Sequence, residues 1–277
     1  MRRFLFASFL MLAGLPAFAA ERWETLPPTP APIATLRSGQ AKANGISIHY
    51  AIYGHGSPLI FLHGGLANTD YWGKQVRAVA AHHTVILMDS RGHGRSTRDA
   101  RPYGYDLMAD DVVALMDVLK IPKADIVGWS DGGIIGLDLA MHHSERVRRL
   151  VAIGAIYDVD GLKERPDLNA PIPPVPGFYA RNAPDPAHWP ALYRKVVTMW
   201  ATQPHYTIAD LGRIKAPVLV MAGEFDVIKR THTDQLAHAI PDAEEVIIQG
   251  GDHDMVLSKP DAVNARILAF LDGPLPQ

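Results

Sequence analysis

The chain has 277 residues, 48% of them hydrophobic and 20% charged, with a formal net charge of -2 at pH 7. That length and apolar share suit one large α/β domain with a sizeable core, or one domain with a small insertion. Near-neutral charge supplies no electrostatic case for nucleic acid or an anionic membrane surface, and the lack of cysteine excludes disulfides, thiolate metal sites and a cysteine nucleophile.

At the N-terminus, Arg2 and Arg3 precede an apolar stretch from Phe4 to Leu15 that is too short to span a bilayer. Ala17-Phe18-Ala19 then has the small-x-small pattern of a cleavage site. Residues 1–19 are therefore expected to be a signal peptide cut after Ala19. The mature chain is expected to be periplasmic or secreted, without stable membrane insertion. Residues 20–45 are read as a leader and first-strand region, with the prolines of Leu26–Pro32 keeping the leader extended.

Ile46–Tyr53 alternates apolar and polar residues and ends at Gly54-His55-Gly56, a strand and turn. Pro58–Leu62 is a continuous apolar run, the mark of a strand buried on both faces, and it ends in His63-Gly64-Gly65. A helix around Trp72–Ala81 leads to a strand over Thr84–Met88, closed by Asp89-Ser90-Arg91-Gly92-His93-Gly94. His93 there reads as part of a turn held by side-chain hydrogen bonds. Tyr105–Ile121 has a helical period, with Asp110 and Asp111 expected on its wetter side. The adjacent pairs His82-His83 and His142-His143 are expected on helices, pointing apart, and so make poor metal ligands.

The apolar strand ending at Ile126-Val127 is followed by Gly128-Trp129-Ser130-Asp131-Gly132-Gly133 and an apolar helix, Ile134–Met141. This is strand, sharp turn and helix with a serine at the apex. The flanking glycines leave room where strand and helix meet, and the helix N-terminus offers unpaired N–H groups to a developing oxyanion. After a further strand, Val147–Ile156, the alternation breaks. No strand-like run occurs between Tyr157 and Arg213, prolines crowd Pro166–Pro190, and one helix spans Trp189–Thr202. An insertion of that length suits a lid. Strands resume at Pro217–Ala222, ending in Gly223-Glu224-Phe225-Asp226, and at Glu245–Ile248, ending in Gly250-Gly251-Asp252-His253. A helix lies near Thr233–Ala239, and the last one starts at Ser258-Lys259-Pro260 and runs to Leu271.

Alternating strands and helices imply a mostly parallel sheet with helices on both faces. In such sheets ligands and reactive groups gather beyond the carboxyl ends of the strands. Gly65, Ser130, Asp226 and His253 stand at such ends, in the order nucleophile, acid, base. A serine hydroxyl needs a neutral imidazole to take its proton, and the imidazole needs a carboxylate to fix its tautomer. Asp226 is the preferred acid. Glu224, two residues earlier, and Asp158, after the preceding strand, compete with it, and Asp252 adjoins His253.

These motifs resemble those of the α/β-hydrolase-fold serine hydrolases, and the resemblance covers nearly everything from Ile46 to Leu271. It implies a hydrolase core over residues 46–156 and 214–277, interrupted by a lid or cap over 157–213. It further implies a catalytic Ser130–His253–Asp226 triad and an oxyanion hole from the backbone N–H groups of Gly65 and Asp131. Serine at the nucleophile position speaks against the haloalkane dehalogenases and epoxide hydrolases, which need a carboxylate there. Within the superfamily, Gly128-Trp129-Ser130-Asp131-Gly132-Gly133-Ile134 is most similar to the valacyclovir hydrolase (biphenyl hydrolase-like) group, in which the acid after the nucleophile binds the substrate's amino group. Asp131 matches that position.

The expected activity is hydrolysis of small carboxylic esters through an acyl-enzyme, without metal or organic cofactor, by a monomer or homodimer. Asp131, Trp129, Trp189 and Trp200 are expected to contact the substrate, with Phe178, Tyr179 and Tyr193 available in the lid. A C–C hydrolase, an enol-lactonase and a perhydrolase would use the same triad. A non-catalytic binding protein on the same fold is the alternative of another class.

Overall fold

The computed structural model describes residues 27–273; the expected signal peptide and its cut after Ala19 lie outside the described residues. Two strands, β1 (Arg37–Ala43) and β2 (Ile46–Tyr53), form an antiparallel hairpin. Its turn is Asn44-Gly45, with φ of 43° and 79°, the paired left-handed residues that match the twist of a two-residue hairpin. Six further strands follow: β3 (Ser57–Leu62), β4 (His83–Met88), β5 (Ala124–Trp129), β6 (Val147–Ile153), β7 (Val218–Gly223) and β8 (Ala243–Ile248). The sheet has the order β1-β2-β4-β3-β5-β6-β7-β8. β2 runs antiparallel to β4, and every pairing from β4 through β8 is parallel. Leu59–Leu62 and all of β5 and β7 are buried, which is why these segments read as unbroken apolar runs.

The helices are α1 (Gly73–Val79), α2 (Tyr105–Leu119), α3 (Asp131–His142), α4 (Gly177–Asn182), α5 (Trp189–Thr202), α6 (Ile208–Leu211), α7 (Arg230–Ala239), α8 (Met255–Ser258) and α9 (Pro260–Asp272). α1, α8 and α9 pack together, as do, in succession, α2, α3, α6 and α7. The α/β-hydrolase fold expected from the sequence is the fold observed.

Between β6 and β7 the chain leaves the sheet to form α4 and α5. Its two ends meet at a neck where Val159 N donates to Pro204 O at 3.0 Å and Tyr206 N to Tyr157 O at 2.8 Å. α6 follows the neck and packs on α3 and α7 of the core.

Two expectations need correction. Asp111 does not face water: it is 1% exposed and accepts two hydrogen bonds of 2.6 Å from the fully buried Arg91, a bidentate pair that satisfies both charges internally. Neither His82 nor His83 is helical: His82 lies in the turn after α1, and His83 opens β4, its Nδ1 bonding the Ser57 hydroxyl at 3.1 Å.

Candidate active site

The site begins with one strained residue. Ser130 leaves β5 with φ 54° and ψ -119° and starts α3 from its N-cap position. A β-carbon costs energy in that left-handed geometry, and an ordered serine there signals a constrained functional turn. The surrounding glycines are sterically required. A Cβ on Gly128 would strike the backbone of Gly132, and one on Gly132 would strike the Leu62 carbonyl. Ser130 N donates to Ile153 O at 2.7 Å, and Ser130 O accepts from Gly133 N and Ile134 N. The backbone is therefore fixed on both sides while Oγ projects beyond the sheet.

His253, in the loop after β8, places Nε2 2.9 Å from Ser130 Oγ and Nδ1 2.8 Å from Asp226 Oδ1. With the Nδ1 proton donated to Asp226, Nε2 is left to accept from the serine hydroxyl. Asp226, in the loop after β7, also accepts from Gly223 N and Ile228 N, each at 3.3 Å. Burial pushes the Asp226 carboxyl up, but His253 and these hydrogen bonds together hold it below its ordinary value. Burial lowers the His253 imidazole, and Asp226, with Asp254 and Asp131 adding to it, more than offsets this, so it ends above its ordinary value. Trp129 supports the same loop from behind, its indole donating to His253 O at 2.8 Å. Gly154, with φ of 58°, underlies the pair: a Cβ there would sit 3.1 Å from His253 Nδ1 and 3.5 Å from Asp226 Oδ2.

The competing acids are occupied elsewhere. Asp158 caps the turn after β6 and bonds His205 at 2.9 Å. Glu224 accepts from Gly250 N at 2.8 Å, and Asp252 accepts from the Ser258 hydroxyl at 2.9 Å. None of the three is bonded to His253 among the described contacts.

The His63-Gly64-Gly65 loop after β3 closes over the serine, since a Cβ on Gly64 would lie 3.3 Å from Ser130 Cβ. His63 pins this loop. It is buried, its Nδ1 donates to Gly64 O at 2.7 Å and its Nε2 accepts from Ser90 N at 3.0 Å, with burial lowering its pKa to about 4. A neutral His63 is thus a brace. Gly65 cannot carry a side chain, because its Cβ would sit 2.5 Å from both Asp131 Oδ2 and Trp200 Cζ2. Asp131 opens α3, so its N–H lies in the first helical turn, where no intrahelical acceptor exists. Gly65 and the first residue of α3 thus lie on either side of the serine turn.

The aromatic residues expected at the substrate separate into two groups. Trp200, from α5, reaches the site and donates Nε1–H to Asp131 Oδ1 at 2.8 Å. Trp129 is 1% exposed and packs against Tyr71 and Trp72, so it serves as a support for His253 and not as a substrate contact. Trp189 is 2% exposed, bonds Pro173 O at 2.8 Å, and packs on Tyr179 and Tyr193 inside the lid. It ties α5 to α4 and to the segment before it. Tyr105, to which the sequence assigns no role, also reaches the site: its hydroxyl donates to Asp131 Oδ1 at 3.0 Å. As the first residue of α2, behind Gly104, it offered only the signal of a helix start at a strand-end loop.

Comparison with known proteins agrees with this architecture. The family model described as "alpha/beta hydrolase fold" matches residues 57–192. The Agrobacterium fabrum protein named "Putative carbamate hydrolase RutD" is 30% identical over 255 residues, covering 81% of this chain and 98% of that protein. A solved N-acyl homoserine lactone degrading enzyme is 30% identical with a TM-score of 0.70, covering 84% of this chain and 100% of that one. The enol-lactonase of Burkholderia xenovorans, at 24% identity and a TM-score of 0.69 over 85% of this chain and 100% of its own, shares the fold. The chain belongs to the alpha/beta hydrolase fold family, and the class of enzyme so defined is a hydrolase.

Proposed function

We propose that the protein is a serine hydrolase that cleaves small carboxylic esters through an acyl-enzyme on Ser130. The observation that carries this reading is the unbroken hydrogen-bond chain from Asp226 through His253 to Ser130 Oγ, at 2.8 and 2.9 Å, on a serine held at φ 54°. In the proposed reaction Ser130 Oγ attacks the acyl carbon as His253 Nε2 takes its proton. The N–H groups of Gly65 and Asp131 receive the oxyanion, each such donor contributing about 3–4 kcal/mol to the transition state. The imidazolium, stabilised by Asp226, returns the proton to the leaving alcohol. Water then repeats the sequence and frees the acid. The lid helices α4 and α5 close over the acyl site, and Trp200 is the lid residue assigned to the substrate. An exported, periplasmic or secreted location belongs to the same proposal, on the strength of the sequence from Arg2 to Ala19.

Within the family, we assign the chain to the valacyclovir hydrolase-like group on the Gly128–Ile134 motif, in which Asp131 would receive a substrate ammonium. A cyclic ester is a second reading, favoured by the 30% identity to the lactone-degrading enzyme; the same steps open a lactone without change. The test is a panel of matched acyclic esters, lactones, carbamates and aminoacyl esters with wild type and Ser130→Ala. The expected outcome is highest turnover on esters or lactones, lost by about 10⁴- to 10⁶-fold in the variant. Turnover that survives Ser130→Ala removes the nucleophile, and turnover confined to carbamates removes the ester assignment.

A further inference from the structure

In the proposed hydrolysis of an uncharged ester the backbone of Asp131 has a role and its side chain has none; only a cationic aminoacyl ester would engage the carboxylate. Yet that carboxyl is 4% exposed and has an uneven environment. Oδ1 accepts from Tyr105 Oη at 3.0 Å and from Trp200 Nε1 at 2.8 Å. Oδ2 is buried without a hydrogen-bond partner and lies 2.5 Å from the point where a Gly65 Cβ would be. It therefore flanks the loop whose N–H is assigned to the oxyanion.

The groups that face this carboxyl are few. Tyr105 approaches from α2, Trp200 from α5, Gly65 from the loop after β3, and Ser130 with the first N–H groups of α3 from its own element. The opposite charge that reaches it is that of His253, from the loop after β8. An ionised carboxylate would be held by the two bonds on Oδ1 and by His253 but would leave Oδ2 buried and unpaired, a placement that burial disfavours and that the neutral form relieves. It would also stand beside a second negative charge whenever an oxyanion formed at Gly65, in surroundings that screen poorly. As a carboxylic acid the same residue has no such conflict. Oδ1 keeps both accepted hydrogen bonds, and Oδ2 carries a proton that can be donated toward the pocket. Burial raises the Asp131 carboxyl to about 6, against the lowering effect of the bonds from Trp200 and Tyr105.

We propose that Asp131 is a protonation gate on this pocket: uncharged esters are hydrolysed with Asp131 as the neutral acid, and its ionisation suppresses the reaction. The gate rests on the assignment of Ser130 as nucleophile and of Gly65 and Asp131 N–H as oxyanion donors. No bond is made or broken at Asp131; its proton stays on Oδ2 throughout. The productive state needs a neutral His253 and a protonated Asp131 together; with Asp131 at about 6 and His253 above its ordinary value, this is a minor form whose population, and the rate on an uncharged ester with it, peaks between the two and falls on either side. The alkaline fall marks the gate.

The experiment compares pH–rate profiles on p-nitrophenyl acetate, from about pH 5 to about pH 9, for wild type, Asp131→Asn and Tyr105→Phe. Fluorophosphonate labelling of Ser130 is measured in each. Asparagine imitates the neutral acid, accepting at Oδ1 and donating where Oδ2–H stood. Asp131→Asn is expected to lose the alkaline fall and to exceed wild-type kcat by about a hundredfold at about pH 8, two units above the value of about 6 at which Asp131 gives up its proton. Tyr105→Phe removes a bond that favours the carboxylate, so its alkaline fall is expected to move to higher pH. Labelled enzymes with superimposable profiles overturn the gate, as does a labelled Asp131→Asn that is slower than wild type at about pH 8. Loss of activity in Asp131→Asn on a cationic aminoacyl ester alone, with no change on the acetate, assigns Oδ2 to an ammonium and also overturns the gate. Failure of the wild type to label removes the nucleophile assignment itself, and the gate with it.

Discussion

At the scale of single residues, the proposed acid rests on a geometric difference that the sequence leaves open. Asp226 and Asp158 both stand after core strands, but Asp226 bonds His253 at 2.8 Å and Asp158 bonds His205 at 2.9 Å. Asp226→Asn is therefore expected to lower kcat by about 10⁴-fold, as loss of the tautomer-fixing carboxylate does elsewhere, while Asp158→Asn stays within a few-fold. Equal losses in steady-state ester hydrolysis would contradict the assignment. Gly65→Ala must push Asp131 or Trp200 aside, because its Cβ would lie 2.5 Å from each. A loss of about 10²–10³ in kcat is expected from the displaced donor, and an unchanged kcat would show that Gly65 N–H takes no part. Ser130, His253 and Gly65 were legible in the sequence because each ends a strand whose apolar run is unmistakable. Tyr105 was not, since nothing local distinguishes a tyrosine that reaches across to Asp131 from one that packs. Trp129 is the opposite case: it adjoins Ser130 in sequence, but β5 is buried on both faces and its ring packs against Tyr71 and Trp72.

At the scale of elements, the buried parallel strands were readable because burial on both faces leaves continuous apolar runs. β1 was harder. Its sequence, Arg37–Ala43, is polar and mostly exposed at the sheet edge, so no periodicity marks it; its one signal is the Asn44-Gly45 turn that fixes its register on β2. Inside the lid, prolines and short helices carry little period, and only α5 shows one. Two lid tryptophans then behave differently. Trp189 is buried against Tyr179 and Tyr193, so Trp189→Ala is expected to cost about 3–5 kcal/mol in denaturant unfolding. Trp200 contacts Asp131 and is half-buried, so Trp200→Phe is expected to leave stability nearly intact and to change KM and the pH profile. The reverse pattern would mean that Trp200 is the structural member of the pair.

At the scale of the whole molecule, stability should depend on pH through histidines that are buried in the neutral form. Burial lowers His63 and His232 to about 4 and His93 to about 3. Their folded-state values lie below the unfolded value, so the unfolded chain binds more protons as pH falls through about 6.5. The stability they contribute is present above that pH and is lost toward pH 4, at about 1.4 kcal/mol for each unit of separation. Urea unfolding across this window is expected to show a steep decline, and a flat profile would contradict the neutral, buried placement. The sheet, the lid neck and the three loops that carry Ser130, Asp226 and His253 serve one claim, that Ser130 is an activated nucleophile. Intact-protein mass measurement after treatment with a fluorophosphonate tests it most directly. One phosphonyl group added per chain, mapped to Ser130 and absent from Ser130→Ala and denatured wild type, is the predicted result; a folded wild type that gains no mass, or gains it at another residue, would contradict the account.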